Sequence, residues 1–487
     1  METYKLAAVL RRRENDAGLF LMVKQARPPE FGDEEYDSLL DSDLWDLPSA
    51  KLDLLEGGGG RVPAAIEGTE SAPDKFDFGK FDLDSAISRV LEQVGLGVTG
   101  VAGWRYLKFV EEARFGPGFV HTVFLTAQLE NEDTRFSGLC KWMSVDDCLG
   151  QVLNVKPSSD RVGPLVFGGL INDSMQFSRK LETTLNYQEY PPGVVLVPMD
   201  SRTGKPFSTT NLVIFAPESI QTEHGDDSFS FRADALVVDP GCLLYMHDKL
   251  SEIIGALPRN LVVFLTHHHP DHVDGLSAVQ KVNPSAILVA HENTMKYIGK
   301  DDWSLGHISV SGGERISIGN QILQVLYAPG HTDGHMGLLH VATHSLIVGD
   351  HCVGQGSAVL DVTSGGNMTD YFRTTYEFIE LSPHVLIPMH GRVNLWPKNM
   401  LCGYLKNRRS RESSVLRAIE NGAQTLLDIV ADVYSEVDRS LWVVASSNVR
   451  LHVDHLAQQH KLPAGFSLDL FNGSLVEFEN KVGRRER

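Results

Sequence analysis

The segment Asn260-Leu-Val-Val-Phe-Leu-Thr-His-His-His-Pro-Asp-His-Val-Asp-Gly275 constrains this chain more than any other. An apolar strand runs straight into a polar cluster and then a helix. Alternate residues leaving a strand point the same way, so His267 and His269 can grip one cation. Asp271 and His272 can then turn toward a second, while His268, the odd member, faces away. Three further apolar runs end on possible ligands: Val325 to Ala328 leads to Pro329-Gly330-His331, Leu346 to Val348 to Gly349-Asp350, and Val385 to Pro388 to Met389-His390-Gly391. This repertoire places His267, His269 and His331 on a first metal and Asp271, His272 and His390 on a second, with Asp350 bridging both. Imidazole suits zinc and carboxylates offset the charge of two dications; manganese and iron stay open as alternatives. Two such ions about 3.5 to 4 Å apart share a hydroxide and stabilise the oxyanion formed when it attacks, so metal-assisted hydrolysis is the expected reaction class. Asp271 and His335 are the candidate catalytic side chains, His335 through substrate contact or a ligand's outer hydrogen bond, with a structural histidine as the other reading.

A chain of 487 residues has room for roughly three domains. Residues 1–160 mix strand-like runs, such as Lys5 to Val9, Gly18 to Val23 and Val120 to Leu129, with a helical stretch from Leu83 to Val94. An acidic, Gly-rich insertion from Asp53 to Phe81, including Gly57 to Gly60, reads as a mobile surface loop too poor in apolar residues to pack. Residues 161–192 read as a connector closed by Pro191-Pro192-Gly193. Residues 193–400 alternate short apolar runs with helices, the rhythm of a layered α/β domain. Residues 401–487 turn helical: Tyr404 to Asn421, Thr425 to Tyr434 and Leu441 to His460. A terminal hairpin around Asn472-Gly473 would then complete a winged-helix-like unit.

Lys plus Arg total 44 against 63 Asp plus Glu, a net charge of −19 that argues against purely electrostatic binding to duplex DNA or an anionic membrane. Five scattered cysteines without C-x-x-C spacing point to a reducing compartment and no disulfide framework. No apolar run approaches the roughly 18 residues of a spanning helix. The cytoplasm is the expected location, with an Arg-rich organelle presequence as the other reading.

Thr266-His-x-His-x-Asp-His272, Gly330-His-Thr332, Gly349-Asp350 and His390-Gly391 together resemble the metallo-β-lactamase superfamily in order and spacing, over about residues 194 to 400. The resemblance implies an αββα sandwich with the site at one edge. Val237-Val-Asp-Pro-Gly241 resembles the family's first strand-end motif, which implies an outer supporting role for Asp239. Departures discriminate within the superfamily. The commonest zinc β-lactamases lack a ligand like His272 and carry Cys where Asp350 stands. Flavodiiron oxidoreductases carry Glu at the place of His269. The 39 residues between Asp350 and His390 are too few for the inserted domain of β-CASP nucleases.

The likeness is greatest to the β-lactamase-like protein two family, continuing through Gly330-His-Thr-Asp-Gly-His335, Asn407-Arg-Arg-Ser-Arg411 and the winged-helix-like tail. It implies cleavage of single-stranded RNA, with thioester hydrolysis, of the glyoxalase-II or acyl-carrier kind, as the alternative and a noncatalytic metal-binding scaffold as a third reading. An RNA backbone would need basic contacts, for which Arg408, Arg409 and Arg411 are candidates. The N-terminal module is similar to a Nudix domain, with Leu44-Trp-Asp-Leu-Pro-Ser-Ala-Lys51 and Ser88 to Leu96 matching its strand-turn and helix. Only Glu92 survives of that family's three glutamates, so a noncatalytic module of unknown partner is expected.

Overall fold

The computed structural model describes residues 2–12, 18–32, 35–55, 66–73, 76–130, 136, 138–173, 175–218 and 230–482. Gly57 to Gly60 lie outside them. Two sheets face each other at the centre. The seven-stranded sheet is built on Val195–Asp200, Thr209–Phe215, Ala235–Val238, Leu261–Phe264 and Ile287–His291. The six-stranded sheet is built on Arg315–Ile318, Gln321–Tyr327, Met336–His340, Ser345–Gly349 and Val385–Pro388.

Strand periodicity sorts the side chains between layers. In Leu261–Phe264, Val262 and Phe264 point into the core between the sheets. Leu261 and Val263 point outward, under the helices His247–Ala256 and Leu276–Val282. The six-stranded sheet does the same: Ile347 and Ile387 face inward, whereas Leu346, Val348 and Leu386 meet the helices Met368–Leu381 and Pro397–Glu420. Both sheets are therefore buried on two faces, and the layers run helix, sheet, sheet, helix as the sequence predicts.

Residues 2–129 supply an eight-stranded sheet together with strands from 140–162. In its long strand Glu2–Arg11, Leu6, Ala8 and Leu10 pack under the amphipathic helix Leu83–Gln93. Ala7 and Val9 face the other way and join the same core as the central sandwich. Glu92 is exposed on that helix.

Three expectations require correction. The described part of the acidic insertion packs: Ile66, Phe76, Phe78 and Phe81 are all buried, and the Phe76 and Phe81 rings stack at 5.1 Å. Overall polarity hid four apolar anchors spaced along it. Residues 161–192 are no free connector either. Arg161–Val162 pairs with Leu44–Asp46, and Val166, Phe167 and Ile171 are fully buried in the shared core. Arg161 itself is buried and donates to the carbonyls of Ser42, His384 and Leu395, fastening the N-terminal sheet to the sandwich.

The third concerns the terminal hairpin, which is replaced by two helices, Leu468–Gly473 and Leu475–Val482. Phe471, Leu475 and Phe478 recur at steps of four and three, a helical period, and Ser467 caps the first turn by accepting from Leu470 N. The Asn-Gly pair ends a helix here instead of turning a hairpin.

These helices pack with Leu426–Val433 and Trp442–Gln458 on the end of Pro397–Glu420. Glu412 accepts from Nδ1 of His455 at 2.5 Å and of His452 at 3.5 Å. Burial pushes this carboxyl up, but the two imidazoles win and hold it at about 2. A carboxyl held below its unfolded value near 4.5 adds stability above pH 4.5 and loses it as pH falls toward 2. Glu412→Gln is expected to flatten the pH dependence of the denaturant midpoint between pH 2 and 5, as read by circular dichroism. An unchanged slope would remove the pair from the account.

Candidate metal centre

Four strand exits, one from the seven-stranded sheet and three from the six-stranded sheet, place the ligands at a single sandwich edge. Phe264 leads through Leu265 and Thr266 to His267, Tyr327 through a Gly330 turn to His331, Gly349 directly to Asp350, and Pro388 through Met389 to His390. Rigid strand ends fix the ligand backbones before any ion binds.

The first subsite is a triad. His267 Nε2 lies 3.0 Å from His269 Nδ1, and His331 Nε2 lies 3.2 Å from each of them. Burial drives His331 down to about 3 and His267 well below its ordinary value, so both rings are neutral. Their lone pairs point at one another. A dication with arms of about 2.0 to 2.1 Å in a tetrahedron holds nitrogens about 3.3 Å apart, which is this spacing.

Asp271, His272 and His390 form the second subsite. His390 Nε2 is 3.2 Å from Asp271 Oδ2 and 3.4 Å from Asp350 Oδ1. His272 Nε2 is 3.5 Å from the same Asp350 oxygen. Burial opposes a charge on His390, but Asp350, then Asp271, raise it to about 10. The two carboxylates thus attract a cation, and a metal would supply that charge more compactly than a proton. His272 Nε2 and Asp350 Oδ1 are buried without a hydrogen-bond partner. Orphaned polar atoms of this kind are costly unless a ligand completes them, so the donor set fits one dication here, beside Asp350, and another at the imidazole triad.

Supporting contacts fix which ring nitrogen faces the ion. Asp239 is fully buried; it accepts from Thr266 N at 2.8 Å, from Thr266 Oγ1 at 2.6 Å and from His272 Nδ1 at 2.8 Å. That leaves His272 Nε2 for the subsite, matching the outer role the resemblance implies. Asp239→Asn puts an amide N–H against one of these donors, and second-subsite zinc affinity is expected to fall by about 10- to 100-fold. Competition with a chromophoric chelator measures it; unchanged affinity would contradict the role.

Of the readings offered for His335, the structure shows the outer hydrogen bond to a ligand and not a substrate contact. Its ring is fully buried, with Nδ1 on the Ala328 carbonyl at 2.9 Å and Nε2 accepting from Asp350 N at 3.1 Å. It positions the Asp350 backbone and has no nitrogen left for substrate. Its side chain also explains the glycine at 349, where a Cβ would lie 2.3 Å from His335 Nε2.

The arginines do not form an open basic face. Arg408 is buried, donating to Ala358 O and to Asn448 Oδ1. Arg409 meets Glu35 and the Tyr376 hydroxyl, and Arg411 donates to Val433 O at 3.1 Å while lying over the Tyr434 ring. Their run reads as charge in sequence, yet helix packing turns Arg408 inward.

Two contributors carry no motif. Asp361 accepts from His269 Nε2 at 3.1 Å, and this bond, against burial, holds the carboxylate well below its usual range. Thr203 Oγ1 lies 3.4 Å from His390 Nε2. His268 turns from the triad to Ser364 Oγ and stacks on Tyr297, ring centres 3.9 Å apart.

Residues 232–390 match the metallo-beta-lactamase superfamily and residues 425–462 the beta-lactamase associated winged helix domain. A beta-lactamase-like protein 2 homolog of Drosophila melanogaster is 25% identical over 219 residues, which cover 42% of this chain and 72% of that protein. A hydroxyacylglutathione hydrolase of Thermosynechococcus vestitus is 32% identical over 136 residues, covering 28% of this chain and 51% of its own. For most of these curated relatives the match spans about half of their length. The crystal structure of a beta-lactamase domain protein from Burkholderia ambifaria aligns with a TM-score of 0.49 at 18% identity, over 60% of this chain and 94% of that one. The family matches place a metallo-β-lactamase superfamily domain at residues 232–390, followed by a β-lactamase-associated winged helix domain at residues 425–462.

Proposed function

We propose that the chain is a zinc-dependent phosphodiesterase acting on single-stranded RNA, with two ions held by the seven ligands. The observation that carries the hydrolytic reading is the Asp350 carboxylate, set against His272 and His390 with one buried oxygen unspent, where it would reach across to the imidazole triad. A dication pair there supplies Lewis-acid polarisation and acidifies a water toward neutrality. The chain's own residues do the rest. Asp239 and Asp361 orient the His272 and His269 rings, His335 holds the Asp350 backbone, and Asp271 faces His390 where it can accept a proton.

Support for an RNA substrate comes from the surroundings of the site. Tyr297, 51% exposed, extends the His268 ring into a flat aromatic step beside the first triad. Exposed Tyr245 hydrogen-bonds to Asp200, three residues before Thr203, on the side of the second subsite. Arg114 meets the same Asp200. Aromatic faces with nearby guanidinium groups suit unpaired bases on a phosphate backbone. The N-terminal module is proposed as a noncatalytic, Nudix-like scaffold, because its glutamate set is incomplete.

Thioester hydrolysis is the second reading. It is favoured by the burial of Arg408, which removes one expected phosphate contact, and by the similarity to hydroxyacylglutathione hydrolases. The experiment offers zinc-loaded protein a labelled single-stranded RNA and an acyl-thioester side by side, with Asp350→Asn as the blank. RNA cleavage absent from the blank supports the phosphodiesterase reading. Thioester turnover alone overturns it in favour of the second, and no turnover of either substrate by metal-loaded protein overturns both.

A further inference from the structure

Arg408 sits on the helix Pro397–Glu420, outside the ligand set, yet its contacts lead back to the first subsite. Its guanidinium is 4% exposed and lies over the Tyr371 ring, 5.0 Å from the ring centre. Nη2 donates to the Ala358 carbonyl, and Nη1 to Asn448 Oδ1 at 3.1 Å. Asn448 belongs to the helix Trp442–Gln458 of the winged helix domain. One side chain therefore joins that domain to the loop over residues 358–361.

That loop touches two of the three triad rings. The next carbonyl, Val359 O, takes the Nδ1 proton of His331, which directs His331 Nε2 to the subsite. Two residues on, the Asp361 carboxylate takes the Nε2 proton of His269 and leaves Nδ1 for the ion. Asp361 N also donates to His331 O at 2.9 Å. A second path runs through Tyr371. Gly330, just before His331, packs so closely on it that a Cβ would lie 2.5 Å from Tyr371 Cα. Tyr371 in turn donates its hydroxyl to His351 O at 2.7 Å, beside Asp350.

We propose that Arg408 is a positioning residue for the first metal subsite, coupling the winged helix domain to the orientation of His269 and His331. Asp239 anchors His272 of the second subsite, whereas the hydrogen bonds of the 358–361 loop are directed at His269 and His331 of the first. The inference rests on the two-cation reading of the site. A guanidinium that reaches a carbonyl, an amide and an aromatic face at once is not replaceable by an ammonium, which offers a point charge without the planar fork.

Cobalt(II) titration of the metal-free full chain distinguishes the subsites, since the absorption of a set with three imidazoles differs from that of one with two imidazoles and a further carboxylate. Wild-type protein is expected to bind two ions in resolvable steps. Arg408→Met is expected to lose about 10- to 100-fold in first-subsite affinity with the second step unchanged, and Arg408→Lys to lose less. Arg161→Met removes an equally buried guanidinium whose hydrogen bonds go to Ser42, His384 and Leu395 and not to the 358–361 loop, and is expected to lower thermal stability without the selective loss at the first subsite. If Arg408→Met does not fold, Arg408→Lys and Asn448→Ala decide by the same titration. Wild-type affinity at both subsites in the folded variants overturns the coupling. Failure of the wild type to bind two ions overturns instead the two-cation reading beneath it.

Discussion

Asp350→Asn is expected to abolish hydrolysis to within about a thousandth of the wild-type rate, while the protein remains folded. The substitution keeps the shape of the side chain and the backbone N–H that donates to His335. What it removes is the negative charge that Asp350 Oδ1 holds toward His272 Nε2 and His390 Nε2, and that the proposed bridging role would share with the first subsite. Only Asp271 then remains as an anionic ligand. Losing several kcal/mol of electrostatic stabilisation, about 4, corresponds to about a thousandfold in rate. The metal-free variant should unfold below the wild-type midpoint at neutral pH, because, against its burial, His390 and His272 hold the Asp350 carboxyl well below its usual range and that attraction is lost. Rates under metal saturation, with circular dichroism in parallel, separate chemistry from folding. Retention of more than a tenth of the activity would remove Asp350 from its bridging role.

Gly241→Ala is expected to have the largest effect on stability, a loss of about 3 kcal/mol or more together with loss of second-subsite metal. The Asp239-Pro-Gly241 turn lies against the helix that carries Asp271 and His272. A Cβ on Gly241 would stand 2.0 Å from Asp271 O and 2.4 Å from His272 N, backbone atoms with no freedom to swing aside. On the other side of the same contact, a Cβ on Gly275 would stand 1.9 Å from Pro240 O. The two glycines let turn and helix interlock, and this interlock brings Asp239 within reach of His272. Chemical denaturation and zinc content per chain measure both effects. A folded variant with wild-type zinc would show that the turn can give way.

A layered α/β domain was legible because short apolar runs alternate with helices and four of those runs lead to a chemically conspicuous residue, whereas the two-sheet sandwich followed from the family resemblance. His267, His269, Asp271 and His272 announce themselves by spacing, and His331, Asp350 and His390 by following apolar runs. Asp361 carries no such signal: it lies in an ordinary Asp-Val-Thr-Ser turn and meets His269 only because the chain folds back from 350. The Val359 carbonyl is invisible for the same reason, since a backbone acceptor has no sequence signature. Arg408 was misread because three arginines within four residues look like a solvated or phosphate-binding face. On a helix they radiate in different directions, and position 408 points at the ligand loop. The acidic insertion and the terminal Asn-Gly were misjudged by composition and by turn chemistry, where Phe76, Phe78 and Phe81 in one case and the period of Phe471, Leu475 and Phe478 in the other decided the outcome.

Zinc per chain, measured by atomic emission on protein reconstituted and freed of excess metal, tests the central claim most directly. The account predicts two ions for the wild type and fewer for Asp350→Asn. One ion or none in folded wild-type protein, under conditions that saturate a tight site, would contradict a two-cation centre built from these seven residues.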